Sequence, residues 1–207
     1  MCGRYTLATD AEHLLVRFEA VGPLDWEPRY NIAPSQQAPV IRLQGPIRRA
    51  ELLRWGFVPS WAKDVRIGYN MINARSEEIA RSYKSALKSR RCLIPASGWY
   101  EWRDKKPFHF HFPDMELFAF AGLWETWREL TTFTLFTTSS VKTAAEYHDR
   151  MPVILNPADY DRWLDPGING HELTDLLRPC DAALIASPAN QAVGNVRNEG
   201  PEMLSGS

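Results

Sequence analysis

The middle of the chain carries the sequence RCLIPASGWYEWR at residues 91–103. Three segments of the same character follow it: PFHFHF at 107–112, LFAFAGLWETW at 117–127 and TTFTLFTTSS at 131–140. β-Branched and aromatic residues suit the pleated, half-buried surface of a sheet. The sequence therefore predicts a run of strands through the centre of the chain.

Shorter elements flank this block. Strands are predicted at 38–43 and 48–57, joined by a turn at 44–46, and a late strand at 182–187. Capping residues and apolar periodicity predict four helices: 10–20 with Thr9 or Asp10 as N-cap, 76–89 with Ser76 as cap, Asn156 through Trp163, and 170–178. The predicted fold class is α+β, with a mostly antiparallel sheet that is curled or doubled.

Composition places the chain among ordinary globular proteins. Its 207 residues fit one domain, and 44% are hydrophobic against 24% charged. No apolar stretch is long enough for a membrane span, and MCGRYTLATD at the start lacks the pattern of a secretory signal. We therefore expect a cytoplasmic location, nucleoid-associated in a bacterium. The net charge of -1 offers no global attraction to nucleic acid, so such binding would need a local basic groove.

The cysteines and histidines do not predict a metal or disulfide framework. There are three cysteines, none in a Cys-x-x-Cys motif, and the five histidines are scattered. His109 and His111 would share one face of a strand, but no third ligand is evident, so they are expected to face solvent. We expect no metal and no cofactor.

Cys2 is the first candidate for chemistry. Once Met1 is removed, its thiol lies beside a free α-amine, whose pKa of about 7.7–8.0 leaves far more of it neutral at pH 7 than of a lysine. The thiol is a strong nucleophile when ionised. Such a 1,2-aminothiol can condense with an aldehyde to a thiazolidine, and a terminal cysteine can also attack amides. Gly3, next to Cys2, allows a backbone or ligand to approach closely, and Arg4 suits binding of a phosphate or carboxylate. The alternative is that a cysteine stands at position 2 by accident and has no chemical role.

A second candidate is the segment INARSE at 72–77. Asn73 offers a donor and an acceptor for an amine or hydroxyl. Arg75 could hold a phosphate near a helix N-terminus. The alternative is a capping turn with a solvated arginine.

Two further segments carry titratable groups. Glu101 lies in an aromatic-rich strand, where burial would raise its pKa and suit it to proton transfer; the alternative is an outward-facing glutamate. Strand alternation puts Glu101 on the face of Trp99, opposite Tyr100 and Trp102. His148 is flanked by Asp149 and Arg150 and is a candidate acid or base, with Arg150 a second phosphate anchor and Asp149 structural as the alternative.

Seven motifs in order give a resemblance that is more specific than any single motif. They are MCGRY at 1–5, RYNIAPSQ at 29–36, RWGFVPSW at 54–61, MINARSE at 71–77, GWYEW at 98–102, YHDRMPVIL at 147–155 and AVGNVRN at 192–198. Over essentially the whole chain they resemble the SRAP family, the SOS-response-associated peptidases or abasic-site processing proteins.

The resemblance implies a fold and a reaction. The fold would be a single SRAP domain over 1–207, with Met1 removed, a flexible tail at about 204–207, and curved, mostly antiparallel sheets packed together with flanking short helices. The protein would bind single-stranded DNA, or single-strand/double-strand junctions, containing an abasic site. Cys2 would then form a thiazolidine crosslink that shields the lesion. Lyase activity through the same Schiff base and self-removal of Met1 belong to the same expectation.

The resemblance also implies roles for individual residues. Asn73, Glu101 and His148 would surround Cys2, with Asn73 orienting the amine and sugar and the other two moving protons. The expected DNA contacts are Arg4, Pro34, Trp61, Arg75, Thr137 and Arg150. Ala62 follows Trp61 where some relatives carry a second aromatic, so the stacking platform is expected to be narrower. The protein is expected to be a monomer, and a role for the replication machinery as partner stays open.

Two other functions remain. One is a thiol peptidase that uses Cys2, Glu101 and His148. The same residues could cleave the protein's own Met1–Cys2 bond, and this self-processing could be its only peptidase reaction. The other is a non-covalent reader of single-stranded or modified DNA. The paired arginines and the aldehyde-matched aminothiol favour crosslinking over peptidase activity, and a requirement for the Cys2 thiol separates crosslinking from plain binding.

Overall fold

The computed structural model describes residues 2–79 and 83–206. Met1, whose removal the sequence predicts, lies outside these ranges, as do residues 80–82 and Ser207 of the predicted tail. Within them the chain forms the strands β1 (Tyr5–Leu7), β2 (Arg29–Ile32), β3 (Gln37–Gln44), β4 (Ile47–Trp55), β5 (Asn73–Arg75), β6 (Arg91–Ala96), β7 (Gly98–Arg103), β8 (Lys106–His111), β9 (Phe118–Trp127), β10 (Leu130–Ser139), β11 (Arg150–Pro152), β12 (Ile154–Leu155) and β13 (Ile185–Pro188).

The helices are short. They are α1 (Ala11–Arg17), α2 (Lys84–Ser89), α3 (Lys142–Ala145) and α4 (Tyr160–Leu164). Short 3-10 helices occupy Val65–Asn70, Ser76–Glu78, Pro157–Asp159, Gly170–Leu176, Gln191–Gly194 and Pro201–Leu204. The predicted α+β class with mostly antiparallel strands is confirmed.

One sheet holds the amino terminus. Its strand order is β13-β8-β7-β1-β2, and every pairing in it is antiparallel. β1 is an interior strand, because Tyr5 lies opposite Ile32 of β2 on one side and opposite Trp99 of β7 on the other. Cys2 precedes β1 by three residues, so the pairing of β1 determines where Cys2 lies.

The second sheet curves onto itself. Its order is β11-β10-β4-β3-β6-β9-β12, and β9 also pairs with β10, which closes five of the strands into a ring. β4 and β5 both run parallel to β10, one beyond the other along it. This arrangement brings Asn73, at the start of β5, opposite Leu135 on β10.

Aromatic side chains join the two sheets. The Tyr5 ring contacts Trp55 edge-on at 5.2 Å and Phe120 at 6.0 Å, and Trp55 stacks on Phe133 at 6.3 Å. All four residues are fully buried. Pairs of this geometry stabilise a core beyond the area they bury. The strand that carries Cys2 is therefore anchored to the second sheet as well as to its neighbours.

Several local predictions are confirmed. The β3–β4 hairpin turns at Gly45, whose φ of 59° lies in the left-handed region that glycine adopts easily. Asp10 caps α1 by accepting from the backbone N–H of His13. Asn156 caps the turn that leads into α4, as predicted. The late strand is present but begins at Ile185 rather than at residue 182.

Two helix predictions are wrong in extent or type. Within the described part of 76–89, a 3-10 helix occupies Ser76–Glu78, with Arg75 rather than Ser76 as its N-cap, and an α-helix occupies Lys84–Ser89; the rest of this prediction, at residues 80–82, lies outside the described residues. Tyr83, with φ of −125°, breaks the regular backbone while its ring packs edge-on against Phe57 at 5.3 Å. The segment predicted as an α-helix over 170–178 is a 3-10 helix over Gly170–Leu176.

The expectation that His109 and His111 face solvent is wrong for His109. They share one face and stack at 5.2 Å, but His109 is only 2% exposed and its Nε2 lies 3.0 Å from the Thr6 hydroxyl. Thr6 in turn bonds Ser97 at 2.9 Å. Burial lowers the pKa of His109 to about 3, so its ring is neutral. β13 pairs with β8 and brings the Ser187 hydroxyl within hydrogen-bond distance of His111. Alternation within β8 alone does not predict this partner.

None of the helices in the described ranges has the length and apolar character needed to cross a bilayer.

We expect Gly98→Ala to destabilise the protein. A Cβ there would lie 2.1 Å from His109 Nε2 and 2.5 Å from the Phe110 carbonyl oxygen, so the buried contact of His109 with Thr6 must break. The expected loss is about 2–3 kcal/mol of unfolding free energy in urea titrations. Gly194→Ala is the matched control, since a Cβ there meets nothing within 4 Å. Equal stability of the two variants would contradict this packing.

Candidate active site at the amino terminus

Cys2 lies where the two sheets meet. Its backbone carbonyl accepts a 2.9 Å hydrogen bond from Asn73 Nδ2, and its Sγ lies 3.8 Å from the Arg4 carbonyl oxygen. Because Asn73 belongs to the curved sheet and Cys2 leads into the other, this bond joins them. The structure therefore brings together the first two residues of the predicted site.

The Cys2 thiol is shielded from water. The residue is fully buried, and burial, together with the negative charge of Glu101, raises the pKa of the thiol far above its ordinary value. At neutral pH the thiol is therefore protonated. Chemistry that begins at this residue needs either a base for the thiol or a different first nucleophile.

Glu101 lies on β7, beside the start of β1. Tyr5 pairs with Trp99, and Tyr100 N donates to the Arg4 carbonyl at 3.0 Å; this register places Glu101 next to Gly3. The residue is 4% exposed. Burial raises the pKa of its carboxyl to about 7.

The predicted burial of Glu101 is thus confirmed, and the outward-facing alternative is wrong. Tyr100 and Trp102 share the other face, with ring centroids 6.4 Å apart. Since a carboxyl with this pKa is present in both forms near pH 7, it can accept and donate protons.

His148 stands before β11, on a segment half-open to solvent. Its Nδ1 lies 2.9 Å from the Arg150 backbone N–H and 2.7 Å from Asp149 Oδ1. Burial lowers the pKa of the ring, and the Asp149 charge acts in the opposite direction. The same Asp149 charge raises the pKa of Glu101, so His148 and Glu101 lie around a shared acidic neighbour.

Arg4 has internal partners that sequence reasoning missed. Its guanidinium donates to Asn31 Oδ1 at 2.9 Å and to the Val193 carbonyl at 2.6 Å. Asn31 in turn donates to the carbonyls of Asn195 and Asn198 at 3.0 and 2.8 Å. Arg4 therefore ties the segment 192–198 to the sheet that holds Cys2. The signal for this contact in the sequence is that AVGNVRN at 192–198 is one of the motifs that carry the family resemblance.

Arg150 is also engaged by the protein itself. It pairs with both carboxylate oxygens of Glu77 at 2.7 and 2.9 Å, and Nη2 donates to the Thr137 carbonyl at 2.6 Å. Thr137 is fully buried under it. These contacts join β10, β11 and the turn at Ser76–Glu78. As with Arg4, sequence alone does not show that the guanidinium has a protein partner.

Three of the predicted DNA-contacting residues are accessible. Trp61 is 74% exposed, and the Arg75 side chain is 56% exposed with Glu78 3.8 Å away. Pro34 is half-buried and precedes Ser35, whose φ is 71°. Ala62 is buried, and its carbonyl accepts from Trp127 Nε1 at 2.7 Å, which anchors the segment that presents Trp61.

Comparisons with known proteins agree on one family. The family model described as SOS response associated peptidase (SRAP) matches residues 1–196. Abasic site processing protein YoqW of Bacillus subtilis is 38% identical over 99% of both chains, and abasic site processing protein YedK of Escherichia coli is 30% identical over 99% of both. A crystal structure of a Bacteroides thetaiotaomicron protein superposes over the full length of both chains with a TM-score of 0.89 at 20% identity, which supports the fold.

The raised pKa of Glu101 should appear as a pH-dependent stability. A carboxyl whose pKa rises from 4.5 to about 7 on folding contributes stability that is complete below pH 4.5 and is lost as the pH rises through 7. Relative to Glu101→Gln, the wild type should therefore lose about 3 kcal/mol of unfolding free energy between pH 4.5 and pH 8. Urea titrations across this range measure it. Parallel stability curves for the two proteins would show that Glu101 titrates normally.

Proposed function

This chain belongs to the SOS response associated peptidase (SRAP) family, and we propose that it captures abasic sites in single-stranded DNA through a covalent bond to Cys2. The observation that carries the proposal is the contact of Cys2 with Asn73, beside the buried carboxyl of Glu101. The relatives YoqW and YedK are named as abasic site processing proteins, which supports the same substrate.

The substrate supplies an aldehyde that matches the aminothiol. A ring-opened abasic sugar carries a free aldehyde, and the Cys2 α-amine attacks its carbonyl carbon to form a carbinolamine. Loss of one water gives a Schiff base. The Cys2 sulfur then adds to the imine carbon while the thiol proton passes to the nitrogen, closing a thiazolidine. The overall reaction releases one water and needs no oxidant or cofactor.

The order of these steps follows from the buried thiol. Because burial keeps the thiol protonated at neutral pH, the α-amine is the first nucleophile. Loss of Met1 is therefore a requirement, since the Cys2 nitrogen is otherwise part of an amide. Self-removal of Met1 by the same thiol is part of the proposal.

Glu101 and His148 move the protons. With a pKa of about 7, the Glu101 carboxylate takes a proton from the amine and returns it to the departing hydroxyl. As the ring closes, the same carboxylate accepts the thiol proton and passes it to the nitrogen. Asn73 holds the Cys2 carbonyl so that amine and thiol face the same carbon. Lyase activity would proceed from the Schiff base, and closure of the ring diverts that intermediate into a stable crosslink.

Strand binding uses the accessible residues first. Arg75 offers an exposed guanidinium two residues from Asn73, and Trp61 offers a ring on which an unpaired base can stack. Arg4 and Arg150 add positive charge to the walls of the site while their side chains hold the protein together. Pro34 and Thr137 complete the proposed lining. Single strands and single-strand/double-strand junctions are the proposed DNA forms.

A stable crosslink should require the thiol of Cys2 in addition to its α-amine. Wild-type protein lacking Met1 should give a heat-stable shifted band on a denaturing gel with single-stranded DNA containing one abasic site. Cys2→Ala should give none while its DNA binding stays within about twofold of wild type. Cys2→Ala and Cys2→Ser both keep the α-amine and lack the thiol, so each should form a stable adduct only when borohydride reduces the Schiff base.

The outcomes separate the alternatives. Mass spectrometry of each protein confirms that Met1 is absent before the test. A stable band from Cys2→Ala would place the linkage elsewhere. No band from correctly processed wild type would overturn the proposal and favour non-covalent recognition.

Arg75→Ala should weaken DNA binding in a salt-dependent way. Loss of one phosphate contact on a single strand makes the plot of log affinity against log salt less steep by about 0.7. Fluorescence anisotropy over a range of salt concentrations measures this slope. Arg162→Ala, an exposed arginine paired with Asp175, is the control and should leave the slope unchanged. A wild-type slope for Arg75→Ala would remove the proposed phosphate contact.

A further inference from the structure

The exposed aromatic side chains of the described part of the chain both lie in one loop. Trp61 is 74% exposed and Tyr69 is 56% exposed, while every other aromatic residue described is buried or partly buried. Both belong to the segment 56–72, which connects β4 to β5 and so leads directly to Asn73. Trp61 already has a place in the proposed DNA site, and Tyr69 has none.

The backbone on both sides of Tyr69 is fixed. Gly68 packs so closely on Gly56 that a Cβ at Gly68 would lie 2.7 Å from the Gly56 carbonyl oxygen. Met71 N donates to the Gly68 carbonyl at 3.1 Å, and the Met71 carbonyl accepts from Phe57 N at 3.1 Å. Tyr69 is therefore held between two anchored residues although its own ring is exposed. A ring presented in this way loses little conformational freedom when it binds a flat ligand.

A positive charge accompanies the Tyr69 ring. The Arg54 guanidinium carbon lies over this ring, 5.8 Å from its centroid. Within the described residues no carboxylate forms an ion pair with Arg54, whereas the exposed Arg66 nearby in sequence pairs with Asp64 at 2.6 Å. An aromatic ring beside such an arginine suits a nucleotide, because the ring stacks on the base and the guanidinium attracts the phosphate.

The chain limits how far Tyr69 lies from the reacting centre. Tyr69 precedes Asn73 by four residues, and four residues span at most about 14 Å when fully extended. Asn73 in turn donates to the Cys2 carbonyl at 2.9 Å. Stacked bases repeat about every 3.4 Å along one strand, so this distance corresponds to about four nucleotides or fewer.

We propose that Tyr69 is a second base-stacking residue of the DNA site, which binds an unpaired base within about four nucleotides of the captured sugar. The inference deepens the proposed function and rests on it, because the base belongs to the strand that Cys2 captures. A base inside a duplex has neighbours on both faces, so this contact favours a single-stranded flank beside the lesion.

The direct test removes one base at a time. A single-stranded oligonucleotide carries tetrahydrofuran at the lesion position, which has no aldehyde and therefore binds without crosslinking. A second tetrahydrofuran replaces each of the four nucleotides on either side in turn, and fluorescence anisotropy measures each affinity. We expect one position at which base removal lowers the wild-type affinity about 5- to 10-fold and leaves the affinity of Tyr69→Ala unchanged.

Two further variants show whether the ring itself is responsible. Tyr69→Phe keeps the ring and should keep the wild-type dependence on that base. Tyr69→Leu is apolar but has no ring, and should behave like Tyr69→Ala. Val16→Ala, which removes an exposed apolar side chain on α1, is the control and should match the wild type at every position. Because each comparison is between oligonucleotides bound by the same protein, a loss of folded protein does not imitate the result.

Two outcomes would overturn the inference. One is the same dependence on every base in wild type and Tyr69→Ala, and the other is a wild-type dependence in Tyr69→Leu. Salt gives an independent measurement. Tyr69→Ala should keep the wild-type slope of log affinity against log salt, since stacking neutralises no phosphate. A less steep slope would show that Tyr69 acts through the phosphates instead of a base.

Crosslinking of authentic abasic DNA separates this inference from the proposed function. If the wild type crosslinks but its base dependence equals that of Tyr69→Ala, the inference fails and the function stands. If wild type lacking Met1 forms no crosslink, the proposed function fails. The affinities for the aldehyde-free oligonucleotides then still decide whether Tyr69 stacks on a base.

Discussion

The insertion of β1 between β2 and β7 is the constraint on which the site depends. An amino-terminal strand is usually free to fray, but here both of its edges are hydrogen-bonded and its Tyr5 ring is packed against Trp55. Cys2 is therefore held at a defined point, three residues before a buried strand. From this placement follow its contact with Asn73 and its proximity to Glu101. The reactive end of the chain is positioned by the same interactions that build the core.

Exclusion of water determines the protonation states of the ionisable groups at the site. Burial raises the pKa of both the Cys2 thiol and the Glu101 carboxyl, so at neutral pH the thiol is protonated and the carboxyl is present in both its neutral and its charged form. A dry site of this kind favours reactions in which protons are exchanged between neighbours rather than with bulk solvent. Condensation of an amine and a thiol with an aldehyde is such a reaction, because its only product besides the adduct is one water.

Short-range features of the fold were predictable from sequence. The strands around β6 to β10, the turn at Gly45 and the cap at Asp10 depend on neighbours within a few residues, and each is confirmed. The burial of Glu101 was predictable too, since its strand is aromatic on both sides. The parallel pairing of β4 and β5 with β10 was not, because it joins segments some 60 to 80 residues apart.

The same distinction explains what the sequence did not show at the site. The partners of Arg4 lie 27 residues away at Asn31 and 189 residues away at Val193, and Glu77 lies 73 residues from Arg150, so neither set of contacts could be predicted from the arginine's own motif. His109 was expected in solvent because β8 alternates, yet the packing around it is set by β1, β7 and β13. A motif identifies the residues of a site, whereas their protonation and their partners depend on long-range packing.

The most direct test of the central claim is to map the bond by mass spectrometry. Protein incubated with abasic DNA is treated with a thiol-alkylating reagent, digested and sequenced at its amino-terminal peptide. Capture through both groups of Cys2 predicts that this peptide carries the sugar remnant, with a mass reflecting loss of one water, and that Cys2 is not alkylated. An alkylated Cys2 bearing the remnant, or a remnant on a lysine, would contradict the account.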